Sequence, residues 1–171
     1  NEVTTFLHEF GHALHGMFSK CTYGSTSMDG VSRDFVELPS QFMENFALEK
    51  EWLDTWAEHY QTGEKIPQEY IDKIKKSSNF QAGYASDRQL SFGMVDMAWH
   101  TITEPVTEPL VDFEQRAMGK TEIMPVVKGS AFSPAFGHIF AGGYAAGYYG
   151  YKWAEVLDAD AFSLFKQNGI F

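Results

Sequence analysis

Near the start of the chain stands His8-Glu9-Phe10-Gly11-His12, two histidines four positions apart with a glutamate directly after the first. On a helix, positions i and i+4 share a face, so both imidazoles can reach a single divalent ion. A zinc ion lowers the pKa of a bound water to about 7, and Glu9 is placed to take the proton that such a water gives up. The chemistry implied is hydrolysis. The flanks read as helix: Thr4 and Thr5 offer N-cap oxygens, and Phe6, Leu7, Phe10, Ala13, Leu14, Met17 and Phe18 fall at helical spacing. Gly11 costs a helix about 1 kcal/mol relative to Ala, which leaves room for something packed closely against it.

A catalytic zinc needs a third protein ligand. One arrangement continues the first motif with a glycine and a further histidine, but those positions hold His15 and Phe18. His15 itself lies roughly 10 Å along the helix axis from His8, too far to share one ion easily, and reads as a groove-lining or surface residue. The other arrangement draws a glutamate from a second helix. Glu37, within Arg33-Asp34-Phe35-Val36-Glu37-Leu38-Pro39-Ser40-Gln41, is the candidate, with apolar positions recurring through Phe42, Phe46 and Leu53. Asp34 and Glu37 also have capping-box spacing, so on spacing alone Glu37 is either a ligand or a helix-start carboxylate. The turn-rich stretch from Thr22 to Gly30 would let the two helices fold back on each other.

Three separated strings, HEFGHALHG, RDFVELPSQFMEN and FGHIFAGGYAAGYYGYKW, together resemble the thimet-oligopeptidase family of zinc metallopeptidases, and within it the bacterial peptidyl-dipeptidases. Arg33-Asp34-Phe35 and the run His138 to Tyr144 carry the likeness to the dipeptidase branch. The resemblance implies one zinc ion per chain held by His8, His12 and Glu37, with Glu9 as general base. It implies a mainly α fold, the zincin-like helical zinc-binding half of a larger oligopeptidase catalytic domain. It also implies that short peptides are the substrates, that dipeptides are released from their carboxyl ends, and that family members run several times longer than this chain.

The third string is informative in its own right. A helical reading places Tyr144, Tyr148 and Tyr151 on one face at i, i+4 and i+7, a stripe that usually belongs to a core. His138 and the pair Gly142-Gly143 suit instead a loop whose backbone approaches a ligand. By the resemblance, His138, Tyr144 and Tyr151 bind substrate and stabilise the tetrahedral transition state, Tyr151 as the leading donor, and Tyr148 is a weaker substrate contact. A preorganised phenol facing a developing oxyanion is worth about 3–4 kcal/mol. Glu44, seven residues beyond Glu37, is placed either to hydrogen-bond a ligand imidazole or to form a solvated ion pair.

Composition narrows the partners without choosing the reaction. A net charge of −10 and a pI near 4.9, with no cluster of Lys and Arg, argue against binding a phosphate backbone. No apolar run reaches the roughly 18 residues that a membrane span requires. The lone Cys21 cannot form an internal disulfide and reads as a packing or loop residue. A cytoplasmic location is expected, with the periplasm as the alternative.

The elements that must position these groups read as helices throughout: Phe42 to Tyr60, Gln68 to Ser78, Arg88 to Ile102, Val111 to Met118 and Gly143 to Phe165. Gly63, Pro67, Pro105 and Pro109 punctuate them, and Gly129 to Gly137 reads as a loop. Residues 1–171 are expected to form a single helical domain with one core, as a fragment that lacks the remainder of the catalytic domain. Surfaces that the remainder would cover are expected to favour non-native oligomers. Two further readings stand beside dipeptide release: an endo-acting oligopeptidase with the same zinc centre, distinguished by its cutting of peptides with blocked carboxyl ends, and a non-catalytic metal-binding or interaction fragment.

Overall fold

The computed structural model describes residues 1–171, and its regular elements are all helical. The only pairing of extended backbone is an isolated antiparallel bridge between Glu58 and Lys65. The chain folds as two compact units rather than around one core: Asn1–Phe80 together with Trp153–Phe171, and Gln81–Lys152.

In the first unit, α1 runs Glu2–Met17 and begins earlier than Thr4 and Thr5 suggest, with Asn1 in the N-cap position. It buries Leu7 and Gly11. The second helical region does not run unbroken from Phe42 to Tyr60. It is divided into α2 (Arg33–Val36), α3 (Leu38–Glu44), a 3-10 turn (Asn45–Leu48) and α4 (Lys50–Leu53). At the break the Asn45 amide Nδ2 reaches the carbonyls of Gln41 and Phe42, each at 3.2 Å, in competition with the regular ladder, and also Asp158 Oδ1 at 3.1 Å. Helix α5 occupies Gln68–Ser78, as the sequence predicts. Pro67 precedes it, Glu69 lies in its first turn and Lys75 and Lys76 in its last, so each charge complements the helix dipole. Helix α1 packs against α3. Leu7 joins Phe46, Ala47, Phe162 and Ile170 in one apolar cluster, and Leu53, Ala57 and Ile71 form a second.

In the second unit, α6 covers Ala82–His100, starting six residues before the expected Arg88. Its N-cap Gln81 takes a left-handed conformation at φ 56°. Helix α7 (Leu110–Met118) agrees with expectation to one residue, and α8 (Gly137–Phe140) is a single turn carrying His138. The core here is Val95, Met118, Phe136, Ile139 and Tyr148, ringed by Phe92, Trp99 and Phe132. Buried Glu114 of α7 accepts the backbone N–H groups of Phe132 and Ser133 at 2.9 and 2.6 Å, pinning the loop that leads into α8. Helix α9 begins at Gly150 and ends at Asn168, so the segment from Gly143 to Tyr149 is not its first turns. Residues Gly150 to Lys152 belong to the second unit and the rest of α9 to the first.

Candidate metal centre

The one-turn spacing on α1 does what helical geometry requires: the His8 and His12 rings lie 5.0 Å apart, edge to face. Glu37 reaches them from a helix junction. It ends α2 and precedes α3, with Pro39 in the first turn of α3, where the missing N–H of proline costs nothing. Ser32 rather than Asp34 occupies the N-cap position of α2. Instead Glu37 is turned inward and is 1% exposed. Its Oε2 lies 3.3 Å from His8 Nε2 and 3.4 Å from His12 Nε2.

Those two separations test whether the group fits a metal. Bonds of about 2.0–2.1 Å around a tetrahedral zinc place neighbouring donor atoms roughly 3.3–3.4 Å apart. The donor atoms of His8, His12 and Glu37 all lie within 4.8 Å of one another, and two nitrogens with one carboxylate oxygen make a set suited to zinc. The residues present fit the ion.

Two further groups hold this set in place. Glu44, at the end of α3, meets His8 Nδ1 at 2.6 Å, so Nε2 is the nitrogen that faces Glu37 and the candidate metal position. Fully buried Ser40 lies one turn after Glu37, and its hydroxyl is 2.9 Å from both the main-chain oxygen and Oε2 of Glu37. Sequence reasoning missed Ser40; its i+3 spacing from Glu37 is the signal that was there. The carboxylate of Glu37, and after it that of Glu44, raise the His8 imidazole from 6.5 to about 10 against the opposing effect of burial.

Gly11 sets how closely α1 and α3 approach. A methyl group on it would sit 2.5 Å from both the Pro39 oxygen and the Ser40 Cα, which are backbone atoms. The space that its small size implies is filled by the strand of chain that carries Glu37. Glu9, next to His8 on α1, is exposed to solvent. His15 stands apart from the group of His8, His12 and Glu37: it packs edge-on against Phe35 and lines an apolar cavity of about 410 Å³ with Leu14, Phe18 and Phe42. Cys21 is exposed, its sulfur 3.1 Å from the Thr26 carbonyl.

The aromatic residues expected at the site lie in the second unit. Tyr144 and Tyr148 precede α9 and only Tyr151 is helical, so the stripe is not a helix face. The rings gather nevertheless. Tyr144 stacks on Tyr151 at 5.2 Å, Tyr148 meets Tyr151 at 5.0 Å, and the His138 ring is 6.0 Å from that of Tyr144. Tyr148 is the buried member, its hydroxyl donating to Gln89 at 3.4 Å, which is the core role such a stripe usually has. His138 is exposed, and Tyr144 and Tyr151 are half-buried.

An all-helical scaffold bearing two histidines and a glutamate at this spacing has the make-up of a metallopeptidase. The whole chain, residues 1–171, matches Peptidase family M3, and it belongs to that family. It is 48% identical to organellar oligopeptidase A, chloroplastic/mitochondrial, of Arabidopsis thaliana, a match covering 99% of this chain and 22% of the relative. It is 46% identical to oligopeptidase A of Escherichia coli (strain K12), covering 100% of this chain and 25% of the relative. With dipeptidyl carboxypeptidase of Salmonella typhimurium the identity is 40%, over 99% of this chain and 25% of the relative. The chain thus spans about a quarter of the length of these curated relatives.

Proposed function

We propose that the protein containing this chain is a zinc peptidase acting on short peptides. The observation that carries the reading is the pair of separations, 3.3 and 3.4 Å, from the Glu37 carboxylate to the two α1 imidazoles, which match the edges of a tetrahedral metal site. Bound by His8, His12 and Glu37, zinc would supply Lewis acidity toward a peptide carbonyl and lower the pKa of an attacking water. Glu9 takes the proton from that water and passes it to the departing amine nitrogen, so one carboxylate serves as base and then as acid. Tyr151 donates its phenolic hydrogen to the oxyanion of the tetrahedral transition state. His138 and Tyr144 orient the substrate, and Tyr148 supports their rings more than it touches peptide.

Replacing Glu9 with Gln in the intact peptidase tests the central assignment. Zinc content should stay at one per chain while turnover falls by about 10²–10⁴; undiminished turnover would remove Glu9 as the base. Glu37→Ala should lose zinc, as read by metal analysis after dialysis, and full retention would show that Glu37 is no ligand.

Two cleavage modes fit the same centre. Release of dipeptides from free carboxyl ends is supported by the dipeptidase-like strings around Arg33 and His138 and by the 40% identity to a dipeptidyl carboxypeptidase. Internal cleavage is supported by the higher identities, 46–48%, to proteins named oligopeptidase A. Peptides with blocked and free carboxyl ends decide between them: efficient cutting of the blocked peptide selects internal cleavage. No helix is long and apolar enough to cross a membrane. A cytoplasmic location is part of the proposal, and cell fractionation is the measurement that checks it.

A further inference from the structure

Asp96, on α6, is a fully buried carboxylate for which the proposed reaction has no use. Its side chain accepts the backbone N–H of Ala146 at Oδ1 and that of Tyr148 at Oδ2, each at 2.9 Å. His100 Nδ1, one turn further along α6, is 2.8 Å from Oδ1. A carboxylate taken out of water needs such donors, and hydrogen bonds to a charged acceptor are stronger than neutral ones. What matters is where on the chain these donors lie.

The segment from Gly142 to Tyr149 contains Gly142, Gly143 and Gly147 and lies outside any helix. Glycines alone would leave it many conformations. Ala146, at φ 52°, holds a left-handed conformation that a residue with a Cβ rarely adopts, so the surroundings must impose it. The Asp96 carboxylate bonds to that residue and to the next but one, midway between Tyr144 and Tyr151. Capturing the amides of Ala146 and Tyr148 also keeps them out of a helical ladder, and α9 starts just afterward, at Gly150. One side chain therefore decides both the path of the loop and the point at which Tyr151 enters its helix.

We propose that Asp96 is a positioning residue for peptide hydrolysis: its buried carboxylate clamps the main chain at Ala146 and Tyr148 and thereby holds Tyr151 in one orientation. The inference rests on the transition-state role proposed for Tyr151. It places a determinant of turnover on α6, 55 residues before the phenol it serves, and Asp96 itself touches no substrate.

The test is a double-mutant cycle in the intact peptidase. Asp96→Asn keeps the shape of the side chain but turns an NH₂ toward one of the two amide donors. It should lower kcat by about tenfold or more, since displacing a catalytic group by ~1 Å costs up to 10²-fold, while KM and zinc content stay unchanged. In a Tyr151→Phe background the same change should cost nothing further, because its effect is routed through the missing hydroxyl. Multiplicative losses, or an undiminished kcat in Asp96→Asn when Tyr151→Phe is slow, would overturn the role of Asp96 alone. Undiminished kcat in Tyr151→Phe would overturn the phenol assignment and the clamp with it. If Asp96→Asn fails to fold, amide exchange in the unsubstituted enzyme decides: Ala146 and Tyr148 should exchange at least about 100-fold more slowly than a free loop, and free-loop rates at both would overturn the clamp.

Discussion

Glu37 and His8 show how much one residue's surroundings set its chemistry. A carboxylate at 1% exposure is unfavourable unless donors or cations meet it, and here two imidazoles and the Ser40 hydroxyl do so. His8 is held from both sides, by Glu37 at Nε2 and by Glu44 at Nδ1. Glu44→Gln, which weakens that second hold, should reduce zinc affinity by about 10–100-fold in a competition assay with a chelator; unaltered affinity would show that Glu44 does not orient the ring. The two carboxylates raise His8 from 6.5 to about 10. Its protonated form therefore stabilises the fold fully below 6.5, and that contribution is lost as pH rises through about 10. A cation at Nε2 must displace this proton.

At the scale of elements, the approach of α1 to α3 controls the centre. Gly11→Ala sets two effects against each other. Helix propensity favours Ala by about 1 kcal/mol. Against this, the new methyl meets backbone atoms at 2.5 Å, where nothing flexible can move aside, and overpacking of this kind costs typically about 1–3 kcal/mol. The steric effect should win. Thermal denaturation should show a less stable protein, and because Pro39 and Ser40 move with Glu37, zinc affinity should fall as well; a variant as stable and as tightly metallated as the parent would contradict the packing. The same scale explains two misread boundaries. Both the break after Glu44 and the late start of α9 arise where a side chain takes over main-chain hydrogen-bonding groups: Asn45 competes for the carbonyls of Gln41 and Phe42, and Asp96 captures two loop amides. Local propensity contains no signal for the second of these, since 50 residues separate Asp96 from Ala146.

For the molecule as a whole, the exposed apolar side chains carry the clearest consequence. Phe6, Met17 and Phe18 on and just after α1 are 65, 64 and 74% exposed. Val3 and Phe6 also line an apolar cavity of about 480 Å³ with Trp52 and Trp56. Exposed apolar side chains of this size mark an interaction site or an association liability where they adjoin one another, as Val3, Phe6, Trp52 and Trp56 do. The isolated 171-residue chain should self-associate in sedimentation experiments, and the double replacement Phe6→Ser, Phe18→Ser should shift it toward monomer. A chain that stays monomeric at high concentration without those changes would count against this reading.

From the sequence alone one could read the helical character, the bounds of α5, the i and i+4 pairing of His8 with His12, and the residue types of a hydrolytic centre. These all lie within one element, where a periodicity of 3.6 residues dictates which side chains are neighbours. Glu37 stood between ligand and cap, Ser40 went unread, and the tyrosines were assigned to a helix face they do not occupy. Tertiary packing brings Glu37 to the two imidazoles, sets Ser40 beside it and places Tyr144 and Tyr148 before the helix that carries Tyr151. Donor atoms from separate segments can meet at 3.3 Å only after apolar faces such as that of Leu7, Phe46 and Phe162 have buried one another and set the spacing of the helices. That spacing depends on side-chain volumes distant in the chain, such as the missing methyl of Gly11, and no local pattern encodes it.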